Sequence, residues 1–252
     1  DRLHANQASP SLMKPTTEAQ RFFGNAPIPA NPAPMRTLKG VVVSNTSRMV
    51  SARKLFAAGG PVLGTLAAAY LHQRGIARFG PALRYHPRVY FRSADTGPDQ
   101  PRYCPALLAK ITDNQGNITG CARTYLDPNT GRIADLSSPK RILGQLHGNA
   151  IRFWSASNLE ELMVGEGLEN TLSIGTALPE FDLASCLTAT HLGLFIPPSN
   201  IKRIWIARDN DAAGERAAHG LARRLASIGI ECRHLVPQLA DFNEDLLAQG
   251  KD

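Results

Sequence analysis

The run Ile201 to Ala207 is largely apolar and β-branched, holds Trp205, and reaches Asp209-Asn210-Asp211 just before a strongly amphipathic stretch. That succession predicts a strand, an acidic strand end and a helix over Ala212 to Ile228. Ala218, Leu221, Leu225 and Ile228 form the apolar stripe of that helix, with Arg216, Arg223 and Arg224 outside it. The same pattern occurs earlier. Glu161-Leu162-Met163-Val164 reads as a short buried strand, followed by Gly165-Glu166-Gly167 and a helix over Glu169 to Ala177. Ala184 to Ala189 is a further strand candidate, Gly229 ends the long helix, and Glu231 to Val236 is a final strand. Alternating strands and helices of this kind imply a mostly parallel sheet with helices on both faces.

Both acidic sites fall at strand ends. Glu166 directly follows its strand, and the glycines beside it let the backbone turn and leave the carboxylate exposed. In extended backbone, residues two apart point to one side, so Asp209 and Asp211 can converge on one ion. Ligands of open α/β sheets collect at the carboxyl ends of strands. An all-oxygen donor set suits Mg²⁺ or Mn²⁺ rather than zinc. Such an ion relieves the repulsion among clustered carboxylates and stabilises charge on a transferring phosphoryl group. The plainer alternative makes Glu166 a helix cap and Asp209 a turn residue. Two such motifs in this order, each at a strand end, favour the metal reading.

Upstream the chain changes character. Residues 1–37 are rich in Pro, Ala, Asn and Thr, with Pro27, Pro29, Pro32 and Pro34 close together, which predicts an arm or linker. Residues 38–157 read as a basic α+β module. Two short helices are expected between Ser51 and Gly75, broken at Gly59-Gly60-Pro61. Strands over Ala106 to Thr112 and Ile118 to Leu126 flank a hairpin turn at Asp113 to Asn117, and a second turn follows at Asp127 to Gly131. Residues 158–252 hold the strand–helix repeats. The net charge of +7 and pI near 9.5 favour a polyanionic partner. Cys104, Cys121, Cys186 and Cys232 lack zinc-ligand spacing and read as reduced core residues. No apolar run approaches the ~20 residues of a membrane span, and no signal peptide is recognisable, so a cytoplasmic location is expected. The opening Asp1-Arg2-Leu3-His4 reads as the start of a piece of a longer protein.

The stretch Val164-Gly165-Glu166-Gly167-Leu168-Glu169, followed by Ile204-Trp205-Ile206-Ala207-Arg208-Asp209-Asn210-Asp211-Ala212-Ala213-Gly214, resembles the Toprim signature shared by topoisomerases and primases. It looks like the version found in primase-like proteins of plasmids, phages and integrative elements. Tyr70 to Ile76, Leu83 to Pro87, Tyr103 to Ala109 and Arg123 to Asp127 are similar to segments that precede Toprim in those proteins. The resemblance therefore extends from about Leu63 to the C-terminus. It implies an α/β Toprim domain over 158–252, preceded by a smaller α+β module. It also implies a primase that joins nucleoside triphosphates on a single-stranded DNA template, with a helicase or other domains of a longer parent as further partners.

By the same resemblance Glu166 is a metal ligand or general acid/base, and Asp209 and Asp211 are metal ligands. Asp241, in Asp241-Phe242-Asn243-Glu244-Asp245, is a candidate further ligand. Bacterial replicative primases carry Asp where this chain has Asn170, a departure that weakens one metal position and leaves open whether Glu169 compensates. Arg84, Lys110, Arg123, Lys140 and Arg141 are the candidates for contacting the template phosphates. His86 and His147 read as structural histidines. Two other readings use the same residues: a Toprim nuclease, and a catalytically idle module that binds nucleic acid or a partner. A topoisomerase would need a tyrosine-bearing domain for which the chain has no room.

Overall fold

A computed structural model describes residues 45–91, 102–153 and 160–249, with Arg102 described by its backbone alone. The Pro-rich arm expected over 1–37 lies outside the described residues. Two helices come first, α1 (Asn45–Ala58) and α2 (Leu66–His72). Four strands follow, β1 (Leu83–Phe91), β2 (Arg102–Thr112), β3 (Ile118–Tyr125) and β4 (Lys140–Gly144), forming an antiparallel sheet in the order β1-β2-β3-β4. Successive side chains of a strand point to opposite faces, and β2 is apolar on both. Ala106 and Leu108 pack with Ala52 and Phe56 of α1. Leu107, Ala109 and Ile111 pack with Ala67, Ala68, Tyr70 and Leu71 of α2. The two helices thus cover opposite faces of one sheet.

Local chemistry fixes the turns. Asp113 Oδ1 accepts the Gln115 and Asn117 amides at 3.0 and 2.9 Å, which closes the expected hairpin. Arg84 Nη1 donates to the carbonyls of Phe56, Ala57 and Gly59 at 3.2, 3.1 and 3.3 Å, satisfying the C-terminal end of α1. Thr65 caps α2, and Gly75 (φ +72°) takes the left-handed conformation just after it.

The second sheet holds β5 (Ile151–Phe153), β6 (Glu161–Gly165), β7 (Leu183–Ser185), β8 (Arg203–Ala207) and β9 (Glu231–Leu235), in the order β5-β7-β6-β8-β9. All neighbours pair in parallel except β5 with β7. Its helices are α3 (Leu168–Ala177), α4 (Ala189–Gly193), α5 (Ala212–Ala226) and α6 (Phe242–Gln249). Leu162, Val164, Ile204 and Ile206 pack with Leu192 of α4 and Ala218, Leu221 and Leu225 of α5. Met163 and Ala207 pack on the other face with Ile174 of α3 and Phe242 of α6. Helices therefore cover both faces, as the strand–helix alternation predicts.

Two expectations need correction. The strand expected over Ala184 to Ala189 is only Leu183–Ser185, because Leu187 turns into the left-handed region (φ 69°) and Thr188 caps α4. Ile228 leaves the stripe and is 65% exposed, since α5 ends at Ala226. Among the described residues, no helix is long and apolar enough to cross a membrane.

The two sheets are joined directly. Thr112 and Ala150 form an antiparallel bridge, and buried Arg152 lies against it, donating to the Thr112 and Ala150 carbonyls and, at 2.7 Å, to Asn114 Oδ1. Leu168 and Leu172 of α3 share the core of Tyr70 and Leu71. Buried Asn243 of α6 completes the junction. Its Nδ2 donates to the Arg74 carbonyl at 2.7 Å and to Ser173 Oγ at 3.0 Å, while Arg74 Nη1 donates to its Oδ1 at 3.1 Å. Truncating Asn243 leaves buried polar groups unpaired. Asn243→Ala should lower unfolding stability by about 2 kcal/mol, read from the urea midpoint, and an unchanged midpoint would refute this role.

Candidate metal centre and flanking cleft

Glu166 is the first residue beyond β6. Gly165, immediately before it, lies so close to Thr171 that a Cβ there would collide with the threonine hydroxyl, so α3 can fold back tightly onto the strand end. The carboxyl of Glu166 is pushed above the ordinary range, first by burial and then by the charges of Asp209 and Asp211, with an Ala189 amide hydrogen bond opposing. Its Oε2 is buried and has no hydrogen-bond partner. Buried carboxylate oxygens are ordinarily satisfied, so this one marks a position suited to a cation.

Asp209 lies two residues past β8 and accepts from Asn170 Nδ2 at 2.7 Å. Burial raises its carboxyl most, Asn170 opposes that shift, and Asp241 and Asp211 raise it further. Asp211 caps α5, its Oδ1 accepting from Gly214 N at 2.7 Å. Asp241 Oδ1 likewise accepts from Glu244 N at 2.8 Å, at the start of α6. The acids approach one another from a strand-to-helix loop and two helix starts rather than from the alternation of an extended strand, because β8 stops at Ala207. Among the described residues, no three His, Cys, Asp or Glu side chains are gathered tightly enough to hold an ion as they stand. The second oxygens of Asp209, Asp211 and Asp241 take no part in the bonds named above. Drawn together, these oxygens and the orphaned Glu166 Oε2 would make an all-oxygen set suited to Mg²⁺ or Mn²⁺ by donor chemistry.

Glu169 has a different task. It is 5% exposed and accepts from Tyr70 Oη at 2.7 Å and from Lys140 Nζ at 2.8 Å. Burial would raise its carboxyl, yet Lys140 and Tyr70 outweigh that effect and hold it below the ordinary range. Lys140 is thereby tied beside the acids, and its charge also lowers the Asp209 carboxyl. The pattern of the sequence did not reveal this network; a Glu one residue before Asn170, at a helix start, was its only trace.

Lys140 and Arg141 are adjacent in sequence, and strand alternation sends them to opposite faces. Lys140 faces the acids. Arg141 lies 4.2 Å from the ring centre of Phe91, and Arg123, its cross-strand partner, donates to Tyr125 Oη at 3.3 Å, both in the core beneath α1. A cleft of about 200 Å³ runs between the strands carrying Arg123, Lys140 and Arg141 and the start of α3 at Gly167 and Glu169. Leu187 and Thr188 line it too. Arg84 is engaged at the end of α1, and Lys110 belongs to the wall of another cavity, of about 320 Å³, with Phe79, Phe153 and Phe181.

Residues 161–252 match the family model of the Toprim domain. This part of the chain is a Toprim domain. Residues 46–153 match a domain of unknown function, DUF7146. No curated protein matches the chain. Among solved structures, a DNA primase domain from Pseudomonas aeruginosa is similar at 16% identity with a TM-score of 0.54, over 80% of this chain and 75% of that one. The Aquifex aeolicus primase (zinc-binding and RNA polymerase domains) is similar at 17% identity with a TM-score of 0.53, over 83% of this chain and 60% of that one. At these identities the likeness is one of fold, and it takes in the antiparallel module as well as the Toprim domain.

The Glu169 network makes the junction between module and Toprim domain sensitive to acid. A carboxyl held low in the folded state contributes stability above its unfolded pKa of about 4.3 and loses it as pH falls through the folded value. Glu169→Gln should therefore be less stable than the parent at pH 7. The gap in urea midpoint should narrow as pH falls below about 4. A gap independent of pH would show that Glu169 is not charged in the folded protein.

Proposed function

We propose that this chain is a primase-like catalytic core that joins nucleotides on a single-stranded DNA template in a reaction dependent on Mg²⁺ or Mn²⁺. The observation that carries the reading is Glu166 Oε2, a buried carboxylate oxygen without a partner, at a strand end within the electrostatic reach of Asp209 and Asp211. The Toprim domain and the primase fold support it. Glu166, Asp209 and Asp211 would hold the cation, with Asp241 as a further ligand. When bound, the cation supplies neutralisation of charge on a transferring phosphoryl group.

The chain's own residues account for the rest of the site. Lys140, with its side chain 53% exposed, presents a positive charge on the acidic side of the cleft while Glu169 anchors it. A cation placed there favours the phosphates of a nucleotide or template over a neutral ligand. Asn170 holds Asp209 by its amide, orienting that carboxylate without adding another negative charge. Half-burial of Glu166 and Asp209 lessens the screening of these interactions by bulk water.

Incubation of the chain with single-stranded DNA, labelled nucleotides and Mg²⁺ or Mn²⁺ tests the reading. Labelled oligomers are expected, and a chelator should abolish them. Asp209→Ala should lower their formation by at least about 100-fold, equivalent to about 2.7 kcal/mol, with binding of single-stranded DNA retained. Mn²⁺ binding to the same variant, followed by electron paramagnetic resonance, should weaken in parallel. Shortened template would identify a nuclease instead, and full activity in Asp209→Ala would overturn the assignment of the acids.

A further inference from the structure

Away from the acids, the edge of the antiparallel sheet displays an aromatic pair. Tyr90 of β1 and Tyr103 of β2 are direct cross-strand partners, yet they remain 50% and 46% exposed. Their rings meet edge to face, with centroids 6.0 Å apart. The Arg88 guanidinium lies 4.5 Å from the centre of the Tyr103 ring. The neighbouring Val89, Phe91 and Cys104 pack beneath α1. Alternation therefore places both tyrosines on the opposite face. That is the face on which Leu107, Thr124 and Lys140 stand in one row across the sheet. From Tyr103 to that row is roughly 13 Å along β2, at about 3.3 Å per residue.

A purely structural role explains this arrangement poorly. Aromatic cross-strand pairs stabilise a sheet chiefly through the surface they bury, and these rings leave about half of theirs exposed. Half-exposed rings beside an arginine have the composition of a stacking site. The ring faces accept a planar base, and the guanidinium supplies charge for a phosphate while it stacks. We propose that Tyr90, Tyr103 and Arg88 form a base-stacking platform for single-stranded nucleic acid, on the sheet face opposite α1. The occupant follows from the charge of Arg88 beside the ring faces and from the net charge of +7. The platform would hold the strand without reading its sequence, since every base has a π-face. The identity of the strand as template rests on the function proposed above; the stacking contact does not.

The whole 252-residue chain serves for the test, with fluorescence anisotropy of oligothymidylate and of an abasic strand carrying the same number of phosphates. The parent should prefer oligothymidylate. Tyr103→Ala should lose at least about five-fold in affinity for it and Tyr103→Phe no more than about two-fold, as expected for base–aromatic stacking. The Ala variant should bind the abasic strand as the parent does. Arg88→Ala should reduce the slope of log affinity against log salt by about one unit, whereas the tyrosine variants should leave that slope unchanged. Equal binding of both strands by the parent, or retention of the base preference in a Tyr90→Ala/Tyr103→Ala variant, overturns the platform, as does failure to bind either strand. Tyrosine-dependent binding without any nucleotide joining would uphold the platform and refute the primase reading. Nucleotide joining with binding indifferent to the tyrosines would do the reverse.

Discussion

Glu169 is a carboxylate with almost no access to water, and a charge so placed persists only if protein groups replace its hydration. Those groups come from elsewhere in the fold: Tyr70 from α2 and Lys140 from β4. The first turn of α3 is consequently fixed to the antiparallel module by charge-assisted bonds as well as by the apolar contact of Leu168 and Leu172. Asn170 adjoins Glu169 on that turn and Glu166 lies just before its N-cap Gly167, so their positions follow from it. Asn243 ties α6, and Asp241 at its start, to Arg74 and Ser173 by the same logic. The acidic centre is built on the Toprim sheet, but its geometry depends on side chains of the module beside it.

Several negative charges in one place need local compensation, and each acid has its own. Asp211 and Asp241 sit at the starts of α5 and α6, where unsatisfied amides and the helix dipole favour an anion. Asp209 receives the Asn170 amide, and Glu166 the amide of Ala189. Among the carboxylate oxygens of the described residues, Glu166 Oε2 is the one left buried without a donor. Glu166 does not cap α3, whose N-cap is Gly167 without a side-chain bond, and the caps made by Asp211 and Asp241 each engage a single carboxylate oxygen.

The parts of the fold that could be read from the sequence are those in which one pattern dominates. β6, β8 and α5 are clean runs or clean amphipathic periods, and the acids follow from their ends. The apolar run continues through Cys186 and Leu187 past the end of β7 at Ser185, while the left-handed turn at Leu187 carries no residue signal; glycine would announce it. The short helices α4 and α6 hold too few residues for a period to emerge. The basic residues were harder still. Arg84, Arg123 and Arg141 belong with Lys140 to one basic module, yet two-residue alternation and local partners direct them to carbonyls and aromatic rings under α1. Charge density along a chain becomes a charged surface only where successive residues share a face, and strands forbid that to neighbours.

Asn170 shows how such a site can depart from a family pattern without losing its organisation. A carboxylate at this position would stand against Asp209 in a partly buried setting that already raises the Asp209 carboxyl. The amide keeps nearly the same shape and reverses the interaction, donating at 2.7 Å where a carboxylate would repel. One candidate ligand oxygen pair is exchanged for a donor that fixes Asp209. Glu169 is committed to Tyr70 and Lys140 and cannot turn towards the centre without leaving the buried Tyr70 hydroxyl unpaired. The anionic character of the centre therefore falls on Glu166, Asp209, Asp211 and Asp241, with Lys140 the nearby positive charge that limits their repulsion.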